Sequence, residues 1–209
     1  MEKQEPKNKV ITWLFNPFHY LAGGKALFIG LVIIAISGAI AYFSNSHFDG
    51  VLDFHTGRQA PIWFIVAEGF IDWLSLALVL LIAGIIISRT RFRVVDIFGT
   101  QSLARFPMFF SALIALLPGY SSLINKLIAN PMNAPAIIFE NIGALIILMI
   151  VGLVILIMLI WMIVLMYRAF AVSFNVTGWK AVVSFIIGLI IAEVISKVVI
   201  ILAIKSILS

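Results

Sequence analysis

The stretch 141-NIGALIILMIVGLVILIMLIWMIVLMY-167 decides the fold class, because it contains no charged side chain over a length that exceeds a bilayer crossing. A membrane-spanning helix needs about 20 mostly apolar residues. The whole chain has the same character: 63% of its 209 residues are hydrophobic, 11% are charged, and the mean hydropathy is +1.19. A soluble domain is nearer to half apolar and a quarter charged. We therefore expect an all-α, polytopic integral membrane protein.

Four further apolar stretches predict membrane-spanning helices beside this one. Proline and charged residues mark their ends, as at Pro61 before the second stretch and at Arg89 after it. The third stretch is short and is interrupted by Pro107. The predicted bundle has five spans, at about residues 26–43, 62–87, 99–117, 141–167 and 181–204. Between the third and fourth spans we expect a short amphipathic helix and a proline-broken return.

Lysine and arginine residues are unevenly distributed between the two sides of these spans. Positive charges concentrate in the cytoplasmic loops of membrane proteins. With a cytoplasmic N-terminus, the inner side holds Lys3, Lys7, Lys9, Lys25, Arg89, Arg91, Arg93, Arg105, Arg168 and Lys180, and the outer side holds Arg58, Lys126 and Lys205. We therefore predict a short cytoplasmic segment 1–15, a membrane domain 16–209 and an outward C-terminus. This topology explains the net charge of +5, so no nucleic-acid partner is expected.

The predicted first outer loop, 46-SHFDGVLDFH-55, contains two of the three histidines of the chain. Its candidate metal ligands are His47, Asp49, Asp53 and His55. Imidazole and carboxylate together suit zinc or another first-row divalent metal. A hairpin with a tight turn at Asp49-Gly50 would set His47 opposite Leu52, so only an irregular loop gathers all four ligands. Alternatively, the segment is a water-exposed connecting loop in which these polar residues bind nothing.

Ionisable side chains inside the predicted spans form a second set of candidate residues, because such groups are costly in lipid. They are Glu68, Asp72, Arg105, Glu193 and Lys197. Glu68 and Asp72 are four residues apart and share one helix face, as do Glu193 and Lys197. We expect the second and fifth spans to pack together, with Lys197 bridging to Glu68 or Asp72. These groups are then structural ion pairs or, alternatively, a proton or cation pathway.

Basic residues near the inner side are expected to contact lipid headgroups. Arg105 lies near the inner end of the third span and is expected to extend toward the phosphates. Arg89, Arg91 and Arg93 form a cytoplasmic basic loop that signals topology and contacts anionic lipid. Binding of a partner protein is the alternative role for this loop.

The segment 88-SRTRFRVVDIFGTQSLARFPMFFSALIALL-117 resembles the Yip (Ypt-interacting protein) family of membrane proteins. The matching features are the basic inner loop, the Phe98-Gly99 step, the entry to the third span at 104–107, Trp161, and 176-VTGWKAVVSFIIG-188. The resemblance extends from about residue 16 to the C-terminus and implies a Yip-type bundle of five helices. Eukaryotic members bind small GTPases of the Rab type and have a long cytosolic N-terminal region. This chain looks more like a bacterial member, which implies a bacterial cytoplasmic (inner) membrane.

The residues and the resemblance together predict a non-enzymatic membrane protein that organises or binds membrane components or partner proteins. One alternative is a small proton or cation transporter or channel that uses the intramembrane acids. Another is a metal-binding outer-face protein or enzyme that uses the loop 47–55. The sequence has no cysteine, no G-x-S-x-G elbow and no H-E-x-x-H motif, so these routes to catalysis are excluded. Expected partners are the bilayer, anionic headgroups and other membrane proteins, and no cofactor is expected beyond a divalent metal at the loop.

Overall fold

A computed structural model describes residues 9–57 and 59–208 of the chain. Much of the predicted segment 1–15 lies outside the described residues, as do Lys3, Lys7 and Arg58 of the predicted charge distribution. The regular secondary structure of the described part is helical except for one short hairpin. In chain order its elements are α1 (Lys9–Phe15), a 3-10 turn (Pro17–His19), α2 (Gly23–Phe43), β1 (Ser46–His47), β2 (His55–Thr56), α3 (Ile62–Ile87), α4 (Val94–Ala104), α5 (Pro107–Ile114), α6 (Tyr120–Ala129), a 3-10 turn (Pro131–Asn133), α7 (Ala134–Glu140), α8 (Ile142–Phe174) and α9 (Gly178–Leu208).

Among the described residues, four helices are long and apolar enough to cross a membrane, namely α2, α3, α8 and α9. Their most apolar windows have mean hydropathies between 2.5 and 3.3. In α8 only 11% of that window is buried inside the protein, so its leucine and isoleucine side chains need an apolar solvent around them. The predicted all-α, multi-pass membrane architecture is confirmed at this level.

The predicted third span, residues 99–117, is interrupted in the structure, as the sequence indicates at Pro107. The segment forms two shorter helices, α4 and α5, which are separated at Arg105 and Phe106. Pro107 explains the break, because proline has no N–H to donate within a continuing helix and is favoured at the first position of a new one. α4 begins at Val94, before the predicted start, and both short helices pack against α2 and α8.

The connecting segments define two ends of the helix bundle. Residues 44–61 join α2 to α3 at one end, which we name the hairpin end. Residues 88–93 and 175–177 lie together at the other end, which we name the basic end. The Ser88 hydroxyl donates a hydrogen bond of 2.9 Å to the carbonyl of Phe174, which fastens these two segments to each other.

Small residues let the helices approach closely. A Cβ at Gly30 of α2 would collide with the Ser102 hydroxyl of α4, and a Cβ at Gly38 would lie 2.8 Å from the Cα of Val66 in α3. Such contacts between backbones are how helices in lipid gain packing energy without a hydrophobic driving force. α3 also packs against α9, as the sequence predicts for the second and fifth spans.

Candidate functional site

The strands β1 and β2 form a hairpin that pairs Ser46 with Thr56 and His47 with His55. A loop of residues 48–54 closes it, so the register with a tight turn at Asp49-Gly50, which places His47 opposite Leu52, is wrong. The long loop is possible because the helices below it hold its backbone. We refer to residues 46–56 as the hairpin.

The hairpin folds back into the helix bundle instead of lying in water. Phe48 is 2% exposed and Val51 is fully buried, and both belong to the main apolar core of the protein. The segment is therefore not water-exposed throughout, although Asp49 and Asp53 are half-buried and His55 is exposed. Apolar side chains alternate with the polar ones along this segment, and their burial turns the loop inward.

Glu68 in the second turn of α3 anchors the start of the hairpin. Its Oε1 lies 2.9 Å from Nδ1 of His47, and its Oε2 accepts a hydrogen bond of 3.1 Å from the backbone N–H of Phe48. Glu68 is only 1% exposed, so these contacts compensate for a carboxylate that has lost most of its water. His47 is thereby directed toward α3 and not toward the aspartates of the hairpin.

Glu193 and Lys197 of α9 hold the other side of the hairpin. Oε2 of Glu193 accepts a hydrogen bond of 2.8 Å from the backbone N–H of Leu52. Nζ of Lys197 lies 2.7 Å from Oδ2 of Asp53 and 3.3 Å from Oε1 of Glu193. The expected bridge from Lys197 to Glu68 or Asp72 is therefore wrong. That expectation compared only the depths of residues along the two helices, whereas Asp53 of the hairpin lies closer to Lys197.

Arg105, at the break between α4 and α5, supports the tip of the hairpin from inside the bundle. Its guanidinium donates to Oδ2 of Asp72 at 3.1 Å and to the carbonyl of Val51 at 3.4 Å. The Arg105 side chain is 3% exposed and that of Asp72 is fully buried. The expectation that Arg105 extends to the headgroups is wrong, because the helix break and Asp72 offer it partners within the protein.

Three of the four predicted metal ligands converge beside this scaffold. Nδ1 of His55 lies 3.3 Å from Oδ1 of Asp49 and 3.4 Å from Oδ1 of Asp53. One ligand atom from each of the three residues lies within 4.8 Å of the others. His47 stands apart from this set, with its ring centroid 6.1 Å from that of His55. We call Asp49, Asp53 and His55 the hairpin triad.

The two distances from His55 to the carboxylates, 3.3 and 3.4 Å, are those that a shared cation would set. Charge-assisted N–H···O bonds are about 2.7–2.9 Å long, and one ring N–H points at only one acceptor. By contrast, zinc–ligand bonds of about 2.0–2.2 Å place tetrahedral ligand atoms about 3.3–3.6 Å apart. Oδ1 of Asp49 is also buried without a well-formed hydrogen bond to any described residue. Lys197 binds the other oxygen of Asp53 and so orients the ligand from outside the triad.

A proton and a metal cation compete for the imidazole of His55 in the triad. Contact with the Asp49 carboxylate is the main cause that raises the pKa of His55 above its ordinary value of 6.5. The same contact is the main cause that lowers the pKa of Asp49 below its ordinary value of 3.8. Because a ligating imidazole has to be deprotonated, acid pH favours the proton and higher pH favours a metal.

A pocket of about 410 Å³ opens beside the triad at the hairpin end. His55, Asp49 and Glu68 contribute polar groups to its wall, while Trp63 and Ile204 contribute apolar ones. A ligand from the hairpin end thus reaches the triad through an opening that is both charged and apolar. Gly57 borders the two histidines, where a Cβ would come within 2.9 Å of His47.

Gly50 has a role in the fold that its sequence context does not indicate. A Cβ at this position would lie 2.5 Å from Oε1 of Glu193 and 2.8 Å from Cε of Lys197. The backbone of the loop therefore docks directly on α9. Asp49-Gly50 is a turn signal in sequence, and only the fold shows that the glycine serves a contact with a distant helix.

The predicted basic loop lies far from the triad, at the basic end. Arg89, Arg91 and Arg93 are exposed, and Arg93 pairs with Asp96 at 2.8 Å. An exposed pair of this kind contributes little to stability, so these residues are available to lipid or to a partner.

Comparisons of the chain with protein-family models, with curated proteins and with solved structures found no match. The resemblance to the Yip family therefore stays a prediction from the sequence. A fold alone does not define an activity, and the function is best argued from the groups that the hairpin assembles.

Proposed function

We propose that this protein is a non-enzymatic membrane protein that binds a divalent cation through the hairpin triad. The observation that supports this most strongly is the convergence of two carboxylate oxygens on Nδ1 of His55, at 3.3 and 3.4 Å. One imidazole and two carboxylates suit zinc or another first-row divalent metal. Water completes the coordination from the pocket side.

The hairpin is held in place by contacts with the helices, which favours a preformed binding site over a chance cluster of surface charges. Glu68, Glu193 and Arg105 each bond to the hairpin backbone and come from three different helical segments. Such contacts fix the loop before a ligand arrives, which lowers the entropy cost of binding. Cation binding to the hairpin then strengthens the link between α3, α4 and α9, so that a bound cation stabilises the packing of these helices.

In the proposed topology, α4 and α5 together make the third of five membrane crossings. α4 begins at the basic end, where Asp96 lies beside Gly23. Ala115, just after α5, belongs to a cluster that packs against Phe54 of the hairpin. The uneven distribution of lysine and arginine then places the basic end and the N-terminus in the cytoplasm and the C-terminus outside. A bacterial cytoplasmic membrane and membership of the Yip family remain part of this proposal.

A transport pathway has less support than a binding site. The ion pair of Asp72 with Arg105 lies at the inner limit of the charged network. Toward the basic end, the fully buried side chains among the described residues carry no charge; they include Leu80, Phe170 and Phe174, and the neutral polar Gln101. Charged groups therefore extend from the hairpin end to the middle of the bundle, which is the arrangement of a one-sided site.

Elemental mass spectrometry of the purified protein tests the proposal. The protein is isolated through a tag without histidine, offered zinc, and dialysed without chelator. We expect about one zinc per chain in the wild type and loss of zinc in Asp49→Asn/His55→Ala. The matched control, Glu140→Gln/His19→Ala, changes an exposed acid and an exposed histidine away from the triad and should keep the metal. Equal zinc in all three proteins, or zinc in none, would show that the triad is not a metal site.

A further inference from the structure

A second cavity, of about 580 Å³, lies at the basic end between the loop after α3 and the start of α9. Its volume is within the range of roughly 300–1,000 Å³ that is usual for ligand sites. Polar and basic side chains line it together with apolar ones. The lining includes Ile86, Arg89, Thr90, Asn175, Thr177 and Lys180.

The charge of this cavity is positive and uncompensated within the described residues. Arg89 and Lys180 both line it, and its described lining contains no aspartate or glutamate. Neither cation forms an ion pair with a described acidic residue, whereas Arg93 nearby is paired with Asp96. An anion that enters the cavity therefore meets two cations without having to displace an acidic partner.

Backbone dipoles around the cavity act in the same direction. The last carbonyl of α8, at Phe174, accepts hydrogen bonds from the hydroxyls of Ser88 and Thr90, at 2.9 and 3.2 Å. The partial negative charge of this carbonyl is thus compensated by two donors. α9 begins at Gly178 and has no acidic residue in its first turn, so its N-terminal N–H groups add partial positive charge.

The apolar rim indicates where the ligand comes from. Ile86, at the end of α3, is 76% exposed, and Trp179, in the first turn of α9, is 71% exposed. Both continue the apolar outer surfaces of membrane-length helices up to the edge of the polar cavity. Tryptophan in such a position is typical of the boundary between acyl chains and headgroups.

We infer that this cavity binds a phosphate group, carried either by an anionic lipid headgroup or by a small phosphate compound. Arg89 supplies a planar guanidinium that can bind two phosphate oxygens, and Lys180 supplies a second, point-like charge. This site is separate from the hairpin triad, and its existence does not depend on metal binding there.

Native mass spectrometry of the detergent-solubilised full chain, titrated with phosphatidylglycerol, tests the inference. We expect Arg89→Gln/Lys180→Gln to weaken binding by about tenfold or more, since two charge-assisted contacts are lost. The control, Lys25→Gln/Arg91→Gln, removes two exposed cations that do not line the cavity and has the same net charge. We expect less than about a threefold change for this control. Thermal unfolding of both variants checks that they remain folded.

The outcomes distinguish specific binding in the cavity from non-specific attraction of an anion to a positively charged protein. Equal weakening in both double variants would overturn the inference, because it would reflect net charge alone. A wild-type protein that binds neither phosphatidylglycerol nor inorganic phosphate would overturn the inference as well. A second arm adds millimolar inorganic phosphate: displacement of the lipid in the wild type assigns the site to small phosphate compounds, and persistence of the lipid assigns it to a headgroup.

Discussion

Replacing Arg105 by glutamine should destabilise the protein strongly, because it leaves a buried carboxylate without its cation. Asp72 is fully buried, and Arg105, at 3.1 Å, is the partner that balances its charge. The substitution also removes the donor that lies 3.4 Å from the carbonyl of Val51 at the tip of the hairpin. Both losses occur in the interior of the bundle, where water does not replace the missing group.

The size of the effect follows from the burial of the pair. Removing one partner of a buried ion pair costs about 3–5 kcal/mol. For a chain of this length, each kcal/mol lowers the melting temperature by about 2–4 °C, so we expect a fall of about 6–20 °C. The double variant Asp72→Asn/Arg105→Gln should recover part of this loss, because it removes both charges and leaves no unpaired ion.

Thermal unfolding followed by tryptophan fluorescence in nanodiscs is a suitable assay. Arg93→Gln is the matched control, because Arg93 forms an ion pair of similar length with Asp96 but is 73% exposed. This control should change the melting temperature far less than Arg105→Gln does. A melting temperature of Arg105→Gln equal to that of the control would refute the burial of the Asp72–Arg105 pair.

Three further predictions concern the hairpin and the topology. Gly50→Ala places a Cβ 2.5 Å from Oε1 of Glu193, so it should loosen the hairpin and lower zinc affinity, and unchanged zinc binding would argue against docking on α9. In chelator-treated protein, the raised pKa of His55 means that its stabilising contact is complete below about pH 6.5 and is lost as the pH rises through the raised value. The melting temperature should therefore fall as the pH rises above about 6.5, and a rise would contradict the contact. In this cysteine-free chain, an impermeant maleimide added to intact cells should label Gln59→Cys and not Arg91→Cys, and the reverse pattern would invert the proposed orientation.

The helical framework could be predicted largely from local sequence. The predicted second span, 62–87, coincides with α3, because Pro61 precedes it and the polar segment after Ile87 ends the apolar run. α8 follows from its uninterrupted apolar composition. Pro107 marks the interruption of the third stretch, but the sequence does not indicate two separate helices there, since proline is tolerated inside many membrane helices when neighbouring groups satisfy the backbone.

The candidate site could be predicted in composition but not in geometry. The sequence indicates that His55, Asp49 and Asp53 are close along the chain, and the structure brings them together. It does not indicate that His47 turns to Glu68, or that Lys197 binds Asp53, because both contacts join segments that are distant in sequence. Such pairings depend on how far the hairpin enters the bundle, and local periodicity contains no information about that depth.

X-ray absorption spectroscopy at the zinc edge shows directly whether the hairpin triad coordinates a divalent cation. We expect the zinc ligands to be nitrogen and oxygen only, at about 2.0–2.2 Å, with a single imidazole and no sulfur. The signal of that imidazole should vanish in His55→Ala. A zinc-offered sample that retains no metal after dialysis, or a shell with two or more imidazoles, would contradict coordination by Asp49, Asp53 and His55.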